Sequence, residues 1–94
     1  MTDSAAGNRA SDGVITVRLW AGARAAVGRD AVSVEGVTGS TSVATVLEAL
    51  TAQEPPLAAI TPVCTVLRDG HACSAHDVVV AGDTLELLPP FAGG

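Results

Sequence analysis

One segment of the chain carries the apolar stripe of an amphipathic helix, and strand-like segments flank it on both sides. The stripe recurs at i, i+3, i+4 and i+7 and consists of Val43, Val46, Leu47 and Leu50. Thr41 or Ser42 precedes it as an N-cap, and Pro55-Pro56 ends it. Because a single helix must bury its stripe against something, we expect the flanking strands to form one sheet over it.

Alternation of apolar and polar residues predicts the strands. They cover residues 14–20, 31–34 or 31–37, 63–67 and 84–88, with a short return strand around 72–74. Asp69-Gly70 is a strong signal for a two-residue hairpin turn, and residues 21–27 form a turn of helix ended by Gly28. The sequence therefore predicts an α+β domain, with a sheet of four to five strands packed on one main helix.

Strand parity predicts an exposed apolar patch. If the helix covers one face of the sheet, the residues on that face are Ile15, Val17, Leu19, Leu85 and Leu87. The opposite, outward face then carries Arg18, Trp20, Thr84, Glu86 and Leu88. An outward Trp20 beside Leu88 is typical of a protein interface. In the alternative arrangement, residues 21–27 fold back and cover Trp20.

Composition restricts the class of protein. The chain has 94 residues, 48% of them hydrophobic, which suits one small folded domain. Its net charge of −5 argues against nucleic-acid binding, and all five basic residues are arginine. Residues 1–13 are polar and small, so we expect a disordered leader there. That segment lacks the apolar run of a signal peptide, and no stretch is apolar enough to span a membrane, so we expect a cytoplasmic protein.

The last six residues form a predicted flexible, reactive tail. Pro89-Pro90 must end the last strand and favours a stiff, extended projection. Gly93-Gly94 adds nothing to packing but presents a narrow strip that ends in a carboxylate. Such a carboxylate reacts only after activation, for example by transfer to the α-phosphate of ATP. The chain has no phosphate-binding loop, so a separate enzyme must supply that step.

These features together resemble the ubiquitin-like sulfur carriers of the MoaD/ThiS family, most closely the molybdopterin synthase small-subunit branch. The specific segment is residues 82–94, with its Gly-Asp, apolar strand, Pro-Pro and final Gly-Gly. Supporting matches are Ala21 and Arg24 after the first strand, Ser42-Val43, and the Arg68-Asp69-Gly70 hairpin. Two features depart from the family pattern: the leader is extra, and Phe91-Ala92 replaces a tail that often begins with Val.

The resemblance implies a β-grasp fold and a function. Gly94, preceded by Gly93, would be adenylated by an E1-like adenylyltransferase of the MoeB/ThiF type, using ATP. A sulfurtransferase would then supply sulfur for a thiocarboxylate. The acceptor would be a MoaE-type large subunit of molybdopterin synthase, and the chain would bind no cofactor and have no activity alone. Expected partner-binding residues are Trp20, Arg24, Leu88, Pro89, Pro90, Phe91 and Ala92.

The cysteine, histidine and acidic side chains give weaker indications of function. Cys64, His71, Cys73 and His76 match no zinc spacing, and the two cysteines are predicted to lie diagonally on one face, too far apart for an easy disulfide. We expect Asp77 and Asp83 to serve turns and the histidines to be solvated. Glu86 is a candidate partner for Arg18 across neighbouring strands.

Three classes of function remain open from the sequence. The first is a sulfur carrier, for molybdopterin or for thiamine thiazole or cysteine biosynthesis. The second is a protein modifier that forms isopeptide bonds with target lysines. The third is a non-reactive β-grasp interaction module.

Overall fold

The computed structural model describes residues 13–90, which contain seven strands and two α-helices. The strands are β1 (Val14–Leu19), β2 (Ala31–Glu35), β3 (Ser40–Ser42), β4 (Thr65–Arg68), β5 (His71–Ala72), β6 (Val78–Val80) and β7 (Thr84–Leu88). The helices are α1 (Ala21–Val27) and α2 (Val43–Gln53). Of the predicted leader and tail, only Gly13, Pro89 and Pro90 lie within the described residues.

Five strands form one mixed sheet in the order β2-β1-β7-β4-β5. The central pair, β1 and β7, is parallel, and the other pairs are antiparallel. Parallel neighbours need a long crossover connection, and here the crossover contains α2. The predicted α+β architecture, with a mixed sheet on one main helix, is confirmed.

The α2 helix packs its apolar stripe into the core. Ser42 is the N-cap, and its Oγ accepts a hydrogen bond of 3.1 Å from the Thr45 backbone N–H. Val43, Val46 and Leu50 are buried, whereas Leu47 is half-buried at the edge of the core. The sheet residues predicted to face the helix are all buried, which confirms the parity of the two central strands.

Two turns behave as their sequences predict. Gly28 ends α1 in the left-handed conformation (φ 83°), and its N–H donates to the Arg24 carbonyl at 2.7 Å. Asp69 and Gly70 both have positive φ, 53° and 79°, as a tight β4–β5 hairpin requires.

The third predicted strand begins too early. Val63 belongs to a short 3₁₀ helix, Thr61–Val63, whose first turn contains Pro62, so β4 starts at Thr65. The return strand β5 is also earlier than expected, at His71–Ala72, because the two-residue turn leaves His71 directly opposite Arg68.

A small second sheet, β3 with β6, has no counterpart in the sequence prediction. Its strands have three residues each, which is too short for an alternation signal. Side chains cap the edge of β6 that does not pair with β3. Arg68 Nη1 donates to the Val78 carbonyl at 2.9 Å, and the Asp83 carboxylate accepts from the Val80 N–H at 2.9 Å. The two caps also face each other, with 3.5 Å between Arg68 Nη1 and Asp83 Oδ2.

We expect Asp83→Ala to lower the free energy of unfolding by about 1 kcal/mol, because it removes the acceptor for Val80 and the ionic partner of Arg68. Asp83→Asn keeps an oxygen acceptor and should lose less. The matched control is Asp30→Ala, which breaks the exposed Arg24–Asp30 pair and should change stability by less than about 0.5 kcal/mol. Urea denaturation measures all three, and equal losses for Asp83→Ala and Asp30→Ala would contradict the capping role.

Candidate functional site

The parallel pairing of β1 and β7 brings the ends of both strands to the same edge of the sheet. Arg18 pairs in register with Glu86, and Leu19 with Leu87. The ladder continues one residue further, because the Trp20 N–H donates to the Leu87 carbonyl at 3.3 Å. Trp20 therefore lies beside Leu88, where the chain leaves the sheet.

Trp20 is exposed, with 38% of its surface accessible. Helix α1 begins directly after it and does not cover it, so the predicted outward orientation is confirmed and the fold-back alternative is wrong. The Arg18 guanidinium carbon lies 5.4 Å from the centroid of the indole ring, within cation–π range. Although Arg18 and Glu86 are register partners, no salt bridge joins their side chains in the described structure, and the predicted pair is not formed.

Strand β4 adds two residues to this outward face that sequence reasoning missed. Thr65 is the register partner of Leu88, and Leu67 is the partner of Glu86. Because side chains alternate along a strand, the apolar Val66 facing the core would have placed Thr65 and Leu67 on the outward face. We call the resulting patch the tail-root surface; it consists of Arg18, Trp20, Thr65, Leu67, Glu86 and Leu88.

Other predicted site residues lie at or beyond the rim of this surface. Arg24 is exposed on α1 and pairs with Asp30, with 3.3 Å between Nη1 and Oδ1. Pro89 is buried within the domain, whereas Pro90 is exposed. Phe91, Ala92, Gly93 and Gly94 lie outside the described residues.

The two cysteines line one cavity between α2 and the β4–β5 hairpin. Both are half-buried and they are not joined, as the sequence predicted. Burial raises the pKa of the Cys64 thiol. Cys64 directly precedes Thr65, the register partner of Leu88 at the end of the β4–β7 ladder. Within residues 13–90, no three His, Cys, Asp or Glu side chains cluster as metal ligands.

The remaining polar candidates serve local structure. The Ser74 N–H and hydroxyl donate to the Asp77 carboxylate at 2.9 and 3.2 Å. The backbone hydrogen bond is the main reason that the pKa of Asp77 is lowered. This confirms that Asp77 serves a turn. His71 and His76 are both exposed.

A mixed sheet with a parallel central pair, packed on one helix, is the β-grasp architecture of the ubiquitin-like proteins. The ThiS family model matches residues 17–94. The chain therefore belongs to the ThiS family, as its sequence predicted. No curated protein matches the chain significantly.

Solved structures agree with this fold. SAMP1, the small archaeal modifier protein 1 of Haloferax volcanii, is 31% identical, with a TM-score of 0.76 over 87% of this chain and 100% of that one. A putative molybdopterin converting factor subunit 1 from Pyrococcus furiosus is 18% identical, with a TM-score of 0.71 over 82% of this chain and 97% of that one. A complex of subunits 1 and 2 of molybdopterin-converting factor from Helicobacter pylori has a chain that is 20% identical, with a TM-score of 0.59 over 86% of this chain and 99% of that one. The last two likenesses concern the fold alone.

No helix within residues 13–90 is both long and apolar enough to cross a membrane.

A backbone feature fixes the direction of the chain after Trp20. Ala21 has φ 48°, in the left-handed region that a Cβ disfavours by roughly 1–2 kcal/mol. We expect Ala21→Gly to raise the free energy of unfolding, or leave it unchanged, because glycine adopts this φ without strain.

The control is Ala25→Gly, in the interior of the same helix and exposed, which should lower stability by about 1 kcal/mol. Guanidinium denaturation of both variants tests the assignment. A loss at Ala21 as large as the loss at Ala25 would show that Ala21 is not strained.

Proposed function

We propose that this chain is a sulfur carrier whose Gly94 carboxylate is converted to a thiocarboxylate. The observation that carries the proposal is the ThiS family match, which extends from Val17 through the final Gly-Gly. In the proposed cycle, the Gly94 carboxylate attacks the α-phosphate of ATP on an E1-like adenylyltransferase, which releases pyrophosphate. A persulfide on a sulfurtransferase then displaces AMP and forms an acyl disulfide. A thiol cleaves the S–S bond of that intermediate, which leaves a thiocarboxylate on Gly94 and a disulfide as the by-product.

The tail-root surface supports this function because it sits where the tail begins. A partner that accepts the tail in a channel must also contact the surface around its root. Trp20, Leu67 and Leu88 offer it an apolar centre, while Arg18 and Glu86 add one charge of each sign. Aromatic and arginine side chains are the residue types that most often dominate binding energy.

Molybdopterin synthesis is the acceptor pathway that we propose first. The fold likeness to molybdopterin converting factor subunit 1 supports it, and in the Helicobacter pylori structure that subunit is in complex with subunit 2. By analogy, a MoaE-type large subunit would receive the tail of this chain and use its sulfur.

Protein modification is a second candidate function, favoured by the 31% identity to a small archaeal modifier protein. The same acyl-adenylate would react with a lysine amine instead of sulfur, forming an isopeptide bond and releasing AMP. Because this chain contains no lysine, each isopeptide-linked lysine would belong to another protein.

Intact mass spectrometry tests the sulfur carrier. After incubation with a MoeB/ThiF-type enzyme, ATP and a sulfur donor, the chain should exchange one oxygen for one sulfur, located in its C-terminal peptide. A variant lacking Gly94 should stay unmodified and keep the thermal midpoint of the parent. The proposal would be contradicted if the mass stayed unchanged with an activating enzyme that does modify its own carrier. C-terminal peptides of this chain isopeptide-linked to lysines of other proteins would favour the modifier.

We expect Trp20→Ala to weaken binding to the activating enzyme or the large subunit by about 2 kcal/mol, roughly thirtyfold, because it removes the aromatic centre of the surface. The thermal midpoint should change little, since the ring is exposed. The control is Val78→Ala, an apolar residue 58% exposed on β6, which should bind like the parent. Isothermal titration calorimetry measures both, and equal affinities for the two variants would exclude the tail-root surface as the interface.

A further inference from the structure

A groove lies on the opposite side of β1 from the tail-root strand β7. Strand β2 is an edge of the five-stranded sheet. Helix α2 lies close to it, since Gln53 of α2 contacts Ser33 of β2. Between them is a cavity of about 240 Å³. Its apolar floor and walls include Val34, Val37, Val46 and Ala49, and hydroxyl side chains such as Thr38 and Thr45 form part of its rim.

The backbone of β2 presents hydrogen-bonding groups to this side. The Leu19 N–H donates to the Asp30 carbonyl at 2.7 Å, so these two residues form a hydrogen-bonded pair between β1 and β2. In an antiparallel ladder every second residue does so, and Val32 and Val34 are therefore the next residues of β2 that point their peptide groups toward β1. Ser33 lies between Val32 and Val34, so its N–H and C=O face away from β1. An independent contact confirms this, because the Ser33 carbonyl accepts a hydrogen bond of 2.9 Å from Gln53 Nε2 on α2.

We propose that the groove between β2 and α2 binds an extended peptide segment of another protein, which adds a strand to β2. A strand paired with β2 would alternate its side chains between the two faces of the sheet. Those on the helix side would enter the cavity, whose volume suits one or two aliphatic side chains. Those on the other side would lie beside Ala31, Ser33 and Glu35.

The negative charge at this edge favours basic residues at the outward-facing positions of such a peptide. Glu35 is exposed at the end of β2 that borders the cavity, and none of the ion pairs among the described residues uses it. A Lys or Arg opposite it would form a cross-strand pair. The net charge of −5 favours a basic partner as well.

Two other occupants fit the groove less well. Residues 1–12 contain a single large apolar residue, Met1, and no alternating pair of aliphatic residues that would pair as a strand and fill the cavity. In a second copy of the chain, Val32 and Val34 of β2 are already buried in that copy's own core. Its β2 would therefore bring only Ala31, Ser33 and Glu35 to the groove, and none of these is a large aliphatic residue. A segment from a different protein could fill the cavity with aliphatic side chains and pair a basic side chain with the Glu35 carboxylate.

Gln53 protects this edge when it is empty. Its side chain occupies a carbonyl that an added strand would use, which is a common way to shield an edge strand from unwanted pairing. A peptide must displace this contact, so removal of the amide should make binding stronger.

The test uses the full chain and the synthetic peptide acetyl-Ser-Lys-Ile-Thr-Val-Lys-Ser-amide, which alternates aliphatic and basic or hydroxyl residues. Titration followed by ¹H–¹⁵N NMR should shift the amides of β2 and of the facing side of α2, with saturation. The control peptide, acetyl-Ser-Lys-Thr-Ile-Val-Lys-Ser-amide, has the same composition but directs its two aliphatic residues to opposite faces. It should bind at least about fivefold more weakly.

Protein variants sharpen the assignment. Ser33→Pro removes an outward N–H, and Ala49→Leu fills the cavity; each should weaken the peptide at least about fivefold. Glu35→Lys should weaken it about threefold or more, whereas Glu48→Lys, on the exposed face of α2, should stay within about twofold of the parent. Gln53→Ala should bind about two- to threefold more tightly.

Several outcomes would overturn the proposal. They are shifts confined to the tail-root surface, equal binding of the two peptides, or an effect of Glu48→Lys as large as that of Glu35→Lys. Since Glu35 is exposed, its variant remains informative even if Ser33→Pro or Ala49→Leu fails to fold. The groove does not depend on the sulfur-carrier proposal, because Glu35→Lys should still form the Gly94 thiocarboxylate and Trp20→Ala should still bind the peptide.

Discussion

The parallel contact between the first and last strands organises the whole domain. Thr16 pairs with Thr84 and Leu19 with Leu87, so residues near the two ends of the described chain lie side by side at the centre of the sheet. Because the strands run in the same direction, both end at one edge. That arrangement places Trp20 at the point where the chain leaves the fold, and it makes the surface around that point a composite of distant segments.

Much of this arrangement was predictable because it depends on strong local patterns. The stripe of α2, the Asp69-Gly70 turn and the alternation in β1 and β7 each repeat often enough, or restrict the backbone strongly enough, to be recognised. Sheet parity then placed Trp20 and Leu88 on the outward face correctly. In contrast, β3 and β6 are held by contacts with Arg68 and Asp83 that no local pattern reveals. The contribution of Thr65 and Leu67 depended on the pairing of β4 with β7, a contact between distant segments that no local pattern reveals.

Some residues that carry the family resemblance support the fold rather than the chemistry. Asp83 holds the Val80 N–H, and Arg68 holds the Val78 carbonyl, so both motif residues fix the small sheet next to β7. Their positions keep the start of β7 in place. The apolar core consists of aliphatic side chains, and Trp20, the single tryptophan of the sequence, lies outside it. Aliphatic residues therefore hold the domain together, and its one indole ring faces outward.

The placement of Cys64 bears on how a carrier of this kind avoids consuming itself. In the proposed cycle an activated acyl group would react with an available thiolate, and Cys64 is half-buried in the cavity between α2 and the β4–β5 hairpin. Burial raises the pKa of this thiol, which further lowers the fraction present as the nucleophilic thiolate. Partial enclosure of a single sulfur atom would thus guard against an internal thioester and leave the adenylate to an external sulfur donor.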